Sequence, residues 1–160
     1  MNKLLLVIDV QKDFINENTK MYINKIQELI ISNNFEKVAF TKFINSKESI
    51  WYKKLNYNGC ITEEGQAIVI DTKNNKVFEK IIYSAVNEEL IKYIKDNNIE
   101  QIYICGFETD ACVQKTTLDL FEKNYEVFIL KDYCMSGTGI EVHNQCINNL
   151  RRLIGKEYVI

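Results

Sequence analysis

Residues 99–113 read Ile-Glu-Gln-Ile-Tyr-Ile-Cys-Gly-Phe-Glu-Thr-Asp-Ala-Cys-Val, and two periodicities meet in them at a glycine. Up to Cys105 the run is apolar and strand-like, whereas beyond Gly106 the residues Val113, Thr117, Leu120 and Phe121 recur at helical spacing. Such a change of period marks a strand-to-helix turn. Cys112 falls in the first helical turn, where unpaired N–H groups and the positive end of the helix dipole favour a thiolate, the form of cysteine that attacks carbon. Cys112 is therefore a candidate nucleophile. The competing reading is a small, buried core residue.

Working outward, residues 3–10 form a continuous apolar run closed by Asp9, the pattern of a strand covered on both faces. Residues 37–41 give a second strand. Residues 67–71 and 76–82, separated by Asn74-Asn75, read as a hairpin or as a short strand before a third sheet strand. Residues 125–130 give a fifth strand, and residues 157–160 add a candidate sixth. Between them lie amphipathic stripes: Tyr22, Ile26, Leu29 and Ile30, ending near Asn33-Asn34; Val86, Leu90, Tyr93 and Ile94, capped by Asn87; and Ile140, Ile147, Leu150 and Ile154. Strand and helix alternate at least four times. That alternation predicts an α/β fold: a doubly wound, Rossmann-like, mostly parallel sheet of five to six strands with helices on both faces.

Residues 42–65 are polar and lack clean periodicity, so they read as loop with a short helix. Trp51, Tyr52 and Tyr57 lie in this stretch; they either wall a substrate pocket or, the commoner role, cover the edge of the core. Phe14 and Trp51 are the candidates for the pocket wall.

The 160 residues, 46% of them hydrophobic, suit one domain spanning residues 1–160. Twenty basic residues against 22 acidic ones give a net charge of -2 without blocks of like charge, which argues against a nucleic-acid partner. Asp9 cuts the apolar run after Lys3 well short of a signal core or membrane span, so the expectation is a soluble, cytoplasmic protein with no membrane partner. Five cysteines without paired CxxC spacing fit free thiols in a reducing compartment.

In open parallel sheets, ligands bind beyond the carboxyl ends of the strands, and Asp9, Lys80 and Cys112 each fall near such an end. By itself Lys80, flanked by Phe78, Ile81 and Ile82, reads as an edge residue snorkelling to water; the alternative is a buried cation with a carboxylate partner. Asp9 would serve as the base that takes the thiol proton, and Lys80 as the cation that holds carboxylate and thiolate charged. His143, the single histidine, sits on the apolar stripe of the last helix and reads as a packed or capping residue, which disfavours a Cys-His pair. Gly137-Thr-Gly139 has Val142 where a dinucleotide fingerprint needs its third glycine and lies far from the first strand. An aspartyl-phosphate receiver would need an acid at the end of the third strand, near which Lys80 stands instead.

Taken together these residues resemble the isochorismatase-like cysteine hydrolases, a family that includes nicotinamidases and other small amidases. Residues 6–14 (Leu-Val-Ile-Asp-Val-Gln-Lys-Asp-Phe) are similar to its opening motif, residues 80–86 to its lysine motif, and residues 106–113 to its nucleophile motif; Asp132, Ser136 and His143 echo its C-terminal pattern. The resemblance implies a catalytic triad of Asp9, Lys80 and Cys112. It also implies a cis peptide between Phe107 and Glu108, and an oxyanion hole made by the backbone N–H groups of Glu108 and Cys112. Nicotinamidases carry an Asp-x-His metal pair shortly after the second strand's threonine. Here Thr41 is followed by Lys42, Phe43, Ile44 and Asn45, so the expectation is no metal and no cofactor. Glu108 occupies a position where relatives often carry a small residue; its carboxylate beside the thiol either repels acidic substrates or binds cationic ones.

The activity implied is metal-independent cleavage of a C–N bond in a small amide through a thioester, with relatives suggesting a homo-oligomer, dimer or tetramer. Two other readings stand beside it. One is a catalytically inactive binding or assembly scaffold; the other is a redox-sensing thiol, resolved by Cys105 or Cys134.

Overall fold

The computed structural model describes residues 1–32 and 34–160; the expected end of the first helix at Asn33 lies outside the described residues. Five parallel strands form one sheet: β1 (Lys3–Ile8), β2 (Lys37–Phe43), β3 (Lys76–Lys80), β4 (Gln101–Phe107) and β5 (Glu126–Met135), in the order β3-β2-β1-β4-β5. Leu4 to Ile8 are all at most 1% exposed, so successive side chains, which point to opposite faces, are covered on both. The covering helices are α1 (Tyr22–Ile31), α4 (Glu88–Asp96), α5 (Gln114–Glu122) and α6 (Ile140–Ile154). Each turns an apolar stripe inward: Ile26 and Ile30, Leu90 and Ile94, Leu120, and Ile147, Leu150 and Ile154 are buried. Asn87 caps α4 as expected, its Oδ1 accepting the Leu90 N–H at 2.9 Å.

Winding proceeds from β1 outward through β2 to β3, then returns to the other side of β1 for β4 and β5. The carboxyl ends of β1 and β4 therefore flank the topological switch point, where such sheets open a crevice. Gly106 makes the close approach there possible. Its φ is +127°, and a Cβ on it would lie 2.1 Å from the Ile8 carbonyl oxygen. Only glycine tolerates both conditions.

Three expectations need correction, and one choice is decided. Of the two readings of residues 67–71 and 76–82, the hairpin does not form and the short extended stretch before a third sheet strand does. Ile68 makes one antiparallel bridge to Gln11, and β3 pairs in parallel with β2 and ends at Lys80. Residues 42–65 begin with the last residues of β2 and hold two short helices, α2 (Ile50–Leu55) and α3 (Glu63–Gln66). The fifth strand does not stop at Leu130: after a register shift opposite Ile104 and Gly106, it runs on to pair Cys134 and Met135 with Gly106 and Phe107. No sixth strand forms among the described residues. After Gly155 the chain coils into a 3-10 turn at Lys156–Tyr158, and Val159 makes a single parallel bridge to Ile129.

Candidate active site

Asp9 follows β1 in a left-handed backbone conformation, φ +48°, which a short polar side chain tolerates better than most. Its side chain is fully buried and meets two neighbours. Thr41, on β2, donates its hydroxyl to Asp9 Oδ1 at 2.6 Å and accepts the Asp9 N–H at 3.1 Å. Lys80, at the end of β3, places Nζ 2.7 Å from Asp9 Oδ2. Beyond that ion pair Oδ2 has no hydrogen-bond partner among the described residues, which leaves it free to take a proton.

Lys80 is buried rather than snorkelling, correcting the simpler reading of its strand. Its Nζ also donates to the Ile82 carbonyl at 3.0 Å and to Cys112 Sγ at 3.4 Å, and lies 5.0 Å from the centre of the Phe43 ring. An ammonium has three donors, and here each has an acceptor. Burial opposes its charge, but Asp9 and Cys112 together raise its pKa, so Lys80 stays protonated.

Cys112 stands in a wide π-type turn, Thr109–Val113, that links β4 to α5. The Glu108 carbonyl accepts from the Ala111 N–H at 3.0 Å and the Val113 N–H at 3.1 Å, on either side of Cys112. The thiol is 3% exposed. Burial pushes its pKa well above the usual thiol range, and the Asp9 charge adds to the rise against the opposing pull of Lys80. Burial and the Asp9 charge thus disfavour the thiolate form of Cys112, and Lys80 favours it. The helix start favours a thiolate, whereas Asp9 already pairs with the cation that would stabilise it.

Two features of the expected oxyanion turn differ. The described residues contain no cis peptide; Glu108 instead makes the turn with a left-handed backbone, φ +61° and ψ +63°. Its N–H donates to the Met135 carbonyl at 2.9 Å, so of the two expected donors Glu108 is already committed to the β4–β5 ladder. The partner carbonyl belongs to the part of β5 that sequence periodicity did not show.

A cavity of about 380 Å³ opens beside Cys112. The two pocket candidates, Phe14 and Trp51, both line it, together with Asp13, Phe43, Tyr57, Tyr83 and Glu108. Tyr57 also lies on the cavity, whereas Tyr52 does not line it. Reasoning from sequence missed the roles of Thr41, Gln11 and Tyr83. Gln11 is fully buried; its amide donates to the Phe43 and Gln66 carbonyls at 2.8 and 3.0 Å, and its Oε1 accepts the Phe43 N–H at 2.7 Å, fixing the loop after β1 against β2. A glutamine two residues after a strand-end acid was the available signal. His143 is packed as expected, its Nδ1 2.9 Å from Thr109 Oγ1 beneath the nucleophile turn. All five cysteines are free and buried.

The positions after Thr41 do not fit a metal. Lys42 pairs with Glu79 at 3.7 Å, and Phe43 faces Trp51. The Asn45 amide donates to the Tyr57 and Gly59 carbonyls, while its Oδ1 accepts from Ser46 and Ser49. Among the described residues no group of three or more histidine, cysteine or acidic side chains converges on a point where an ion could sit. No described helix is long and apolar enough to cross a membrane.

The chain matches known proteins along nearly its whole length. Residues 3–157 match the Isochorismatase domain, and the chain belongs to that family. It is 32% identical over 135 residues to Isochorismatase family protein 2A of Dictyostelium discoideum, covering 80% of this chain and 64% of that one. It is 36% identical over 89 residues to Isochorismatase family protein 1A of the same organism, covering 54% and 38%. The chain thus spans less than two thirds of the length of these curated relatives. Among solved structures, an isochorismatase-like hydrolase from Alkaliphilus metalliredigens superposes with a TM-score of 0.85 at 19% identity, covering 99% of this chain and 94% of that one. Yeast nicotinamidase bound to nicotinaldehyde gives 0.84 at 21%, covering 99% of both. N-carbamoylsarcosine amidase from Thermoplasma acidophilum gives 0.84 at 17%, covering 97% and 94%. At these identities the likeness is one of fold.

Proposed function

We propose that this chain is a metal-independent cysteine hydrolase that cleaves an amide-type C–N bond of a small molecule. The observation that carries the reading is the buried triad: Asp9 Oδ2 2.7 Å from Lys80 Nζ, and Lys80 Nζ 3.4 Å from Cys112 Sγ, at the wall of a cavity. Its family membership supports hydrolysis, and its likeness in fold to a nicotinamidase and an N-carbamoylsarcosine amidase supports an amide as the bond cleaved.

In this mechanism the Cys112 S–H proton passes to Asp9 as Sγ bonds to the substrate carbonyl carbon. The proton transfer and the attack occur together, because burial disfavours a free thiolate. Lys80 offsets the negative charge as it moves from Asp9 to the substrate carbonyl oxygen. The tetrahedral oxyanion takes the Cys112 N–H, and takes the Glu108 N–H as well when its bond to Met135 opens. Collapse breaks the C–N bond, and protonated Asp9 gives its proton to the departing amine. Water then attacks the thioester with Asp9 again taking a proton, releasing a carboxylic acid and restoring the thiol.

The test is a panel of small amides incubated with the protein and quenched for intact-mass measurement. The reading expects an adduct of the acyl mass on Cys112 with matching release of amine, both abolished in Cys112→Ala. Amide turnover that is unchanged in Cys112→Ala overturns it.

A further inference from the structure

The cavity beside Cys112 carries an unbalanced charge. Its lining includes two carboxylates, Asp13 and Glu108, and no basic side chain among the described residues. Neither makes an ion pair among those residues. The Asp13 Oδ2 accepts the Cys60 N–H at 2.7 Å and is partly occupied. Glu108 is different. Its Oε1 accepts the Gly137 N–H at 3.1 Å, which holds the side chain across the turn, while Oε2 takes no hydrogen bond among the described residues. Lys80, which contacts Cys112, is already balanced by Asp9.

Around these carboxylates the wall is aromatic. Trp51 meets Tyr83 edge-on at 5.2 Å and 84°, and Phe43 at 5.6 Å and 66°; Phe14 stacks on Tyr57 at 6.2 Å and 10°. Phe43 already faces Lys80, which leaves Trp51, Tyr83, Phe14 and Tyr57 as the rings open to a ligand. An aromatic wall with a free carboxylate is the chemistry that recognises a cationic nitrogen. An acidic ligand would meet two carboxylates and no partner.

We infer that the pocket selects small amides bearing a positively charged nitrogen, with Glu108 Oε2 as the counter-ion and Trp51 and Tyr83 as the aromatic faces. This rests on the amide-hydrolase reading for the identity of the reacting group, and adds the substrate's second feature. It assigns Glu108 to specificity, and resolves the choice its carboxylate posed in favour of binding cations.

The protonation of Glu108 gives an independent readout. Burial, followed by the charge of Asp110, raises its carboxyl to about 7, with the Gly137 N–H opposing the rise and Asp9 adding to it. The other titratable groups around this cavity are Asp13, Tyr57, Tyr83, Cys112 and Lys80. A bound cation favours the ionised carboxylate, so affinity should rise as pH passes upward through 7 and binding should release a proton.

The experiment compares two isosteric probes, trimethylammonioacetamide and 3,3-dimethylbutanamide, by calorimetry on the full-length Cys112→Ala protein, which measures binding without turnover. The cationic probe is expected to bind about tenfold tighter, since a carboxylate and an aromatic face both favour it. That preference should fall to about threefold or less when Glu108→Gln is added, and shrink when Trp51→Leu is added instead. Glu108→Gln keeps the acceptor for the Gly137 N–H, and its folding is checked by thermal unfolding. A neutral probe that binds as tightly as the cation, a preference that survives Glu108→Gln, or no cation binding up to roughly 20 mM overturns the inference. The two readings fail separately. Cation binding without any covalent adduct in the wild type sinks the hydrolase reading and leaves the binding preference standing. Adducts formed from neutral amides alone do the reverse.

Discussion

Lys80 Nζ lies 2.7 Å from Asp9 Oδ2, and both side chains are at least 98% buried. An ion pair taken out of water gains its Coulomb energy only against a large desolvation cost, and is destabilising if one partner is lost. Here three strand ends converge to satisfy it. Thr41 on β2 holds the second carboxylate oxygen, and the Ile82 carbonyl and Cys112 sulfur take the remaining ammonium donors. The consequence for chemistry is that the cation beside Cys112 is shared. That sharing weakens the pull of Lys80 toward a Cys112 thiolate.

If the pair is worth keeping mainly because both partners are present, a double-mutant cycle will show it. Lys80→Met should destabilise the protein by about 3–5 kcal/mol, since it strands the Asp9 charge. Adding Asp9→Asn should recover most of that loss. Urea unfolding checks both; a Lys80→Met variant within about 0.5 kcal/mol of wild type would contradict the pairing.

Thr41→Val keeps the shape of the side chain and removes the hydroxyl that donates to Asp9 Oδ1 and accepts from its N–H. A buried carboxylate oxygen without a donor costs about 1–3 kcal/mol. The base also loses its fixed orientation, so kcat should fall by roughly tenfold or more. Denaturant unfolding and steady-state kinetics read the two effects separately.

Glu108 predicts a pH dependence of stability. Its carboxyl rises from 4.5 to about 7 in the folded protein, chiefly by burial. Below 4.5 both folded and unfolded chains hold the proton and no penalty exists. Between 4.5 and 7 the unfolded chain ionises freely while the native one resists, so stability contributed by this group is lost as pH rises through that window. Glu108→Gln should therefore look more stabilising, relative to wild type, at pH 8 than at pH 5. Thermal unfolding at the two pH values decides this; an equal difference at both contradicts the raised pKa.

How much of this was legible in the sequence depends on how far each partner lies along the chain. β1 and β4 announce themselves because both of their faces are apolar, and Gly106 falls one residue before the end of β4. The burial of Lys80 was not legible from its own strand, because the acid that accepts its charge belongs to β1 and the sheet order that joins them is a tertiary fact. The rule that ligands gather beyond the carboxyl ends of parallel strands suggested that grouping where the strand's own pattern did not, and the family motifs agreed with it. The later half of β5 was hidden for a local reason. Lys131 and Asp132 interrupt the apolar run at the register shift, and the strand resumes only beyond it. That same hidden stretch carries the Met135 carbonyl that engages Glu108 N–H, so a missed strand end became a missed hydrogen bond in the site. Residues 157–160 misled in the opposite direction: Tyr158, Val159 and Ile160 have strand-like side chains, yet the coil after Gly155 leaves room for a single bridge.

Asp9→Asn tests most directly whether Asp9 is the base. The substitution removes the charge that helps hold the Cys112 thiol protonated and releases Lys80 to pair with sulfur. Cys112 should then be alkylated by iodoacetamide at pH 7 faster than in the wild type, while amide turnover falls by about 10²–10⁴-fold for want of a group to carry the proton. A more reactive thiol in a less active protein is the predicted pair of results. Amide turnover in Asp9→Asn that equals the wild type, or that rises together with the alkylation rate, would contradict the account.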